Sequence, residues 1–414
     1  MNFNRFNLNP TIMAGVQALG YTTPTPIQQE AIPPILEGKD VMGLAQTGTG
    51  KTAAFVLPIL QRLAPGRRGG VRALVIAPTR ELTEQTLQAT RQLGRQTGLA
   101  CLSIYGGASM QAQVDCLRRG ADIVSACPGR LLDHLRRKTI NLSKVEVLVI
   151  DEADQMFDMG FLSDIRAILK HLPAGRQTLL FSATMPPEIN TLAGDILRSP
   201  VRVQIGRPAP AETVSHTFCP VETGAKNSML QHILKTTSTG LVLVFTRTKQ
   251  RSKQVAQQLE ASGYEAAALH GNLSQNNRQK AIQGFRAGRY KILVATDIAA
   301  RGIDVCGVSH VINYDIPATA DAYTHRIGRT GRACATGEAI TFVSSKDRGL
   351  AREIGDRIGG KLKLEASRMP AAAQPETAPR RSVAGTRSFS ACRRPAGSRN
   401  PTRFRKARPP HREG

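Results

Sequence analysis

The sequence predicts an α/β chain of two tandem domains with parallel sheets, followed by a disordered basic C-terminal tail. Three observations predict it. At 414 residues the chain is longer than one hydrophobic core usually organises. Short apolar runs rich in β-branched residues alternate with segments whose apolar residues recur at helical spacing, the pattern of strands covered on both faces by helices. Two breaks in composition then divide the chain, one at 206–212, rich in Gly, Pro and Ala, and one near residue 366. They delimit an N-terminal domain over 1–205, a linker over 206–212, a C-terminal domain over 213–366 and a tail over 367–414.

The expected strands lie at 40–44, 73–77, 145–150, 178–181, 241–245, 291–295 and 311–314, each a short apolar run. Between two of them Phe161, Ile165, Ile168, Leu169 and Leu172 repeat at helical spacing and mark one buried face. The tail holds 12 Lys/Arg against 2 Asp/Glu, so it carries ten of the chain's 25 net positive charges, and it has seven prolines. Such a segment buries too little apolar surface to offset its ordering entropy.

The charge of +25 points to a polyanionic partner or to a solvated basic surface, and charge alone leaves both open. No apolar run approaches a membrane span, and residues 1–20 lack a signal-peptide core. Seven cysteines without a C-x-x-C pair argue against a zinc site or disulfide framework and for a reducing, cytoplasmic setting. With no Trp and 4% aromatic residues, a broad base-stacking platform is not expected.

Chemistry concentrates where strands end, as it does in parallel sheets. The strand at 40–44 runs into Ala45-Gln46-Thr47-Gly48-Thr49-Gly50-Lys51-Thr52 and then a helix-like segment. Small residues there let backbone N–H groups wrap phosphates, and the helix N-terminus adds its positive end. Lys51 is expected at the β- and γ-phosphates and the Thr52 hydroxyl on Mg²⁺. Asp151-Glu152-Ala153-Asp154 follows the strand at 145–150. By itself this is either an acidic turn or a metal and general-base site; beside a phosphate loop, Asp151 suits the metal and Glu152 the attacking water.

With these motifs on the page, the sequence resembles the DEAD-box ATP-dependent RNA helicases from Phe3 to about Ile358. The resemblance implies two RecA-like domains, ATP and Mg²⁺ as cofactors, and RNA as a partner bound through its backbone without sequence preference. It implies that Tyr21, Thr23 and Gln28, inside an adenine-reading element over 1–29, read the base with Phe3 in support. Pro78-Thr79-Arg80, Gly106-Gly107 and Pro128-Gly129-Arg130 match RNA-backbone contacts of the first domain, so Thr79, Arg80, Gly107, Gly129 and Arg130 are expected on RNA. Arg247, Gln275, Arg278 and Thr296 are expected there from the second. Ser182 and Thr184 match the element coupling hydrolysis to strand separation, with Asp154 and His325 as partners, and Asp304 is expected near the ribose.

His325-Arg326-Ile327-Gly328-Arg329-Thr330-Gly331-Arg332 matches the arginine signature, which implies Arg326 and Arg329 as fingers to the γ-phosphate. Developing charge in phosphoryl transfer gains most from such positioned cations. The N-terminal Met-Asn-Phe, the Thr-Pro-Ile-Gln-Gln element and the basic tail are most similar to the bacterial RhlE-like branch. The chain departs from the family at Cys127, where Thr is usual; a thiol is the weaker hydrogen-bond donor. The rival readings are an RNA clamp with vestigial hydrolysis and a DNA-translocating helicase.

Overall fold

The computed structural model describes residues 2–46, 48–66, 69–205, 214–236, 240–300, 305, 307–331, 336–358 and 363–364. The expected linker, the tail, Thr47 and Asp304 lie outside the described residues.

The N-terminal half forms one sheet from β1 (Val41–Leu44), β2 (Ala73–Ile76), β3 (Cys101–Ile104), β4 (Ile123–Ala126), β5 (Val147–Ile150), β6 (Gln177–Ser182) and β7 (Val201–Gln204). Its order is β3-β4-β2-β5-β6-β1-β7, and every pair is parallel. Side chains alternate between two cores. Leu74, Ile76, Leu148 and Ile150 face one. Val75, Val149 and Phe181 face the other, with Phe55 of the helix Lys51–Leu63. A strand buried on both faces must be apolar throughout, which is why these runs show no polar alternation.

The C-terminal half repeats the plan with β8 (Val214–Pro220), β9 (Leu241–Thr246), β10 (Ala266–Leu269), β11 (Ile292–Thr296), β12 (Val308–Asn313), β13 (Gly337–Val343) and β14 (Lys363–Leu364). The order is β10-β11-β9-β12-β13-β8-β14, again parallel. Val242, Val244 and Ile312 face one core, and Leu243, Phe245 and Val311 the other.

Strand order decides where the chemistry can sit. In the first sheet β5, β6 and β1 are neighbours, so the acidic turn, Ser182 and the phosphate loop emerge side by side. The ends of β2, β4 and β3 carry Thr79, Cys127 and the Gly106–Gly107 turn toward the opposite edge. In the second sheet β11, β9 and β12 are neighbours, which brings Asp297, Arg247 and Asp315 together. No helix among the described residues is long and apolar enough to cross a membrane.

Candidate functional site

The phosphate loop is shaped by glycines where a side chain could not go. Gly48 and Gly50 take φ of 88° and 94°, and a Cβ on Gly50 would stand 2.6 Å from Gln28 Nε2. Gln28 instead donates from Nε2 to the Gly50 carbonyl at 3.1 Å and accepts the Thr25 N–H on Oε1 at 3.0 Å. These two bonds use half of what an amide can make, which leaves it the donor and acceptor that a base edge needs. The Tyr21 ring is exposed and stacks on the buried Phe3 ring at 6.1 Å, and Thr23 is exposed beside it.

Lys51 opens the helix after the loop, with Thr52 next, and its ammonium is buried. Nζ donates to the Ala45 carbonyl and to Glu152 Oε1, each at 3.0 Å. Burial opposes the lysine charge, but Glu152, Asp151 and Asp154 outweigh it and raise the pKa. Burial pushes the Asp151 carboxyl up to about 7 against the pull of Lys51, with Glu152 and Asp154 adding to the rise. Glu152 takes a left-handed φ of 54°, and its Oε2 accepts from Gln155 Nε2 at 3.2 Å. A non-glycine residue held there is strained, and such strain gathers at functional sites.

Asp154 is the junction of the site. Its Oδ2 accepts from Thr184 N at 2.8 Å, Thr184 Oγ1 at 3.0 Å and Ala183 N at 3.2 Å, while its own N–H donates to Ser182 Oγ. His325 reaches it from the second domain, Nε2 standing 3.7 Å from Oδ2. Burial opposes ionisation of Asp154, but His325, Lys51 and the Thr184 N–H hold its carboxyl well below the usual carboxylate range. The four residues expected to couple hydrolysis to strand separation, Asp154, Ser182, Thr184 and His325, are thus brought together.

In the second domain a pocket lined by Asp297, His325, Arg326 and Arg329 opens beside this junction. Arg326 is buried and fully committed to its own domain. It grips both oxygens of Asp297, at 2.5 and 2.7 Å, and Nη1 donates to Asn313 Oδ1 and to the Asp315 carbonyl. Its guanidinium also lies 5.0 Å over the Phe245 ring.

The chain from 25 to 192 matches the DEAD/DEAH box helicase family, and from 225 to 334 the helicase conserved C-terminal domain. It is 44% identical over 351 residues to the ATP-dependent RNA helicase CshA of Listeria monocytogenes, covering 84% of this chain and 67% of that protein. The chain belongs to the DEAD-box RNA helicases. It is also 42% identical over 355 residues to the DEAD-box ATP-dependent RNA helicase CshA of Bacillus subtilis, covering 86% of this chain and 72% of that one. Saccharomyces cerevisiae Dbp5 bound to RNA and ADP BeF3 superimposes with a TM-score of 0.78 at 30% identity, over 88% of this chain and 94% of that chain. Because that fit spans both sheets, each half of this DEAD-box chain has the RecA-like helicase fold.

Three of the expected arginines bond to protein groups in this structure. Arg326, expected as a finger, bonds within its own domain to Asp297, Asn313 and the Asp315 carbonyl and lines the same pocket as Arg329. Arg278, expected on RNA, is buried. It crosses to the first domain and donates to Glu81 Oε1 from Nε at 2.8 Å and Nη2 at 2.6 Å, both side chains being about 8% exposed. Arg130, expected on RNA, donates from Nη1 to the Ala108 carbonyl and to Gln113 Oε1, and so ties down the segment after the Gly106–Gly107 turn.

The remaining RNA candidates keep open positions or brace their neighbours. Arg80 lies across Gly107, whose φ of 85° and missing Cβ make room for the guanidinium, and Nη1 reaches Gln275 Oε1 at 3.4 Å. Thr79 caps the helix Arg80–Leu93 by accepting the Leu82 N–H. Gly129 sits in the first turn of the helix Pro128–Arg136 with nothing near its missing Cβ. Arg247 is exposed, and Thr296 is buried at the end of β11. Arg329 is buried and lines the pocket. Cys127 Sγ lies 3.4 Å from Thr83 Oγ1, and burial pushes its thiol up to about 11. Motif reading did not single out Gln113, Lys226 or Asp315. Asp315 carried the same signal as Asp151, a carboxylate just past a strand end.

Proposed function

We propose that this chain is an ATP-dependent RNA helicase whose two domains close on ATP and an RNA backbone, with closure completing the hydrolytic site. The observation that carries it is Asp154, which links the strained Glu152 turn, the Ser182-Ala183-Thr184 element and, at 3.7 Å, His325 of the other domain. A carboxylate shared this way makes the hydrolytic turn sensitive to whether the second domain is in place.

In this reading the phosphate-loop amides and Lys51 hold the β- and γ-phosphates, and Glu152 takes a proton from the attacking water. The pairing of Lys51 with Glu152 supports it, since phosphate would compete for the ammonium and leave Glu152 to act as a base. Arg329, lining the second-domain pocket beside Asp154 and His325, is the finger to the developing charge. Tyr21, Thr23 and Gln28 read adenine, and Ala45, Gln46, Thr47 and Asp304 complete the nucleotide's surroundings. Thr52 and Asp151 supply two hard oxygen donors, the number Mg²⁺ takes from protein when phosphate and water complete its shell. Among the described residues no cluster of three or more ligand side chains competes with that assignment. Bound there, Mg²⁺ would neutralise phosphate charge. Burial alone disfavours the Asp151 anion, so a cation beside it fits.

Thr79, Arg80, Gly107, Gly129, Arg247, Gln275 and Thr296 are the proposed backbone contacts, with Arg130 and Arg278 bracing them. Backbone reading makes recognition blind to sequence. The domain limits 1–205 and 213–366, and a cytoplasmic, magnesium-using role, are part of the same reading. The RhlE-like subgroup rests on the two N-terminal elements and the tail, whereas the relatives reported above carry the name CshA; the proposal therefore stops at the family.

The test is strand release from a short fluorescent RNA duplex. Release should require ATP and vanish in Lys51→Ala. Release equally fast without nucleotide, or none with ATP, would contradict the proposal.

A further inference from the structure

Asp315 is a crossroads that no motif marks. It follows β12, beside the end of β9 that carries Arg247, and all four of its polar atoms are used. Its N–H donates to the Phe245 carbonyl at 3.2 Å, and its carbonyl accepts from Arg326 Nη1 at 2.7 Å. Its Oδ2 accepts the backbone N–H of Arg247 at 3.0 Å, and its Oδ1 accepts from Lys226 Nζ at 2.8 Å. Lys226 also donates to the Tyr314 carbonyl at 2.8 Å and lies 5.3 Å over the Tyr314 ring.

Lys226 is an expensive choice at this place. It is 4% exposed and opens the helix Lys226–Thr236, where the helix dipole and desolvation both oppose a cation. A Met would fill similar volume but would lose the bonds to Asp315 and to the Tyr314 carbonyl. What the charge does is fix the Asp315 carboxylate, which holds the Arg247 turn, while the main-chain carbonyl of the same residue accepts from Arg326. Arg326 precedes Arg329 by three residues and grips Asp297, so the line runs from the RNA-facing turn through the side chain and then the main-chain carbonyl of Asp315 to Arg326.

We propose that Lys226 and Asp315 are a positioning pair that transmits RNA engagement at Arg247 to the Arg326–Arg329 segment. The proposal rests on the reading of Arg247 as an RNA contact and Arg329 as the finger. Neither Lys226 nor Asp315 touches RNA or nucleotide in it. Their function is to keep the two strand ends at a fixed offset, so that an Arg247 turn drawn onto a phosphate carries the arginine segment with it. Misplacement by an ångström at a site of this kind costs on the order of a hundredfold in rate.

The experiment uses the full chain and measures ATPase rate with and without saturating poly(U), alongside thermal melting. Lys226→Met should lower poly(U)-stimulated turnover ten- to a hundredfold, roughly the misplacement penalty, while basal turnover and half-saturating ATP stay unchanged. Lys226→Arg, which restores the ion pair, should recover most of the stimulation. Because Lys226→Met alone leaves Asp315 buried without its partner and can unfold the domain, the decisive variant is Lys226→Met with Asp315→Asn. That protein should melt near wild type and still lack stimulation. If the double variant regains wild-type stimulation, or if basal and stimulated rates fall in the same proportion, the pair is only structural and the proposal is overturned. A wild-type protein that poly(U) does not stimulate would instead overturn the functional reading beneath it.

Discussion

Glu152 and Arg326 show how far a residue's type alone fixes its role. Glu152 sits at φ 54° with its carboxylate on Lys51, so Glu152→Gln keeps shape and changes only the base. Nucleotide binding should survive, and single-turnover hydrolysis should fall about 10²–10⁴-fold, the usual worth of a general base; near-normal turnover would remove Glu152 from that role. Arg326 and Arg329 lie on one signature but should fail differently. Arg326→Ala leaves Asp297 and Asn313 without their partner, and should cost roughly 2–4 kcal/mol in chemical denaturation, somewhat under the value for a fully buried broken pair because Asp297 is part-exposed. Arg329→Ala should show chiefly as lost RNA-stimulated hydrolysis. Equal destabilisation by both would blur that distinction and count against it. Cys127, whose sulfur turns to Thr83, should be nearly neutral: Cys127→Thr should change RNA affinity by less than about 0.5 kcal/mol, below the net value of one hydrogen bond.

At the scale of elements, the seam between the helices Arg80–Leu93 and Gln275–Arg286 separates two meanings of a buried arginine. A phosphate contact releases counterions and steepens the salt dependence of RNA binding; an interdomain ion pair does not. Arg278 bonds to Glu81, so Arg278→Ala should weaken RNA binding while the slope of log K against log salt stays put. A slope reduced by about 0.7, the value for one phosphate on a single strand, would return Arg278 to the RNA. The sequence could place Gln275 and Arg278 on one helix, but the partner Glu81 lies 197 residues away and leaves no local trace. Strands were legible in the same uneven way. β5, as Val-Leu-Val-Ile, announces itself, whereas β10 is Ala-Ala-Ala-Leu and has helix-forming composition. It is a strand because Ala266–Leu269 pair in register with β11 beneath the helix Lys249–Ala261, which tertiary context alone decides. The phosphate loop and acidic turn were readable because backbone geometry there demands particular residue types. The second-domain network around Asp315 was not, since its bonds go largely to backbone groups that any residue offers.

For the whole molecule, the account is of two RecA-like halves that meet through Asp154–His325 and Glu81–Arg278. The 12 Lys/Arg beyond residue 366 add charge without any group assigned to ATP. Truncation after Leu364 should therefore weaken RNA affinity and flatten its salt dependence, while turnover at saturating RNA survives; lost turnover would make the tail part of the catalytic fold. The central claim is that RNA, by closing the two halves, switches on hydrolysis. It is tested most directly by the steady-state ATPase rate of the intact chain with single-stranded RNA, with DNA of the same sequence, and with neither. The account predicts strong stimulation by RNA and little by DNA. Equal stimulation by both, or a rate indifferent to nucleic acid, would contradict it.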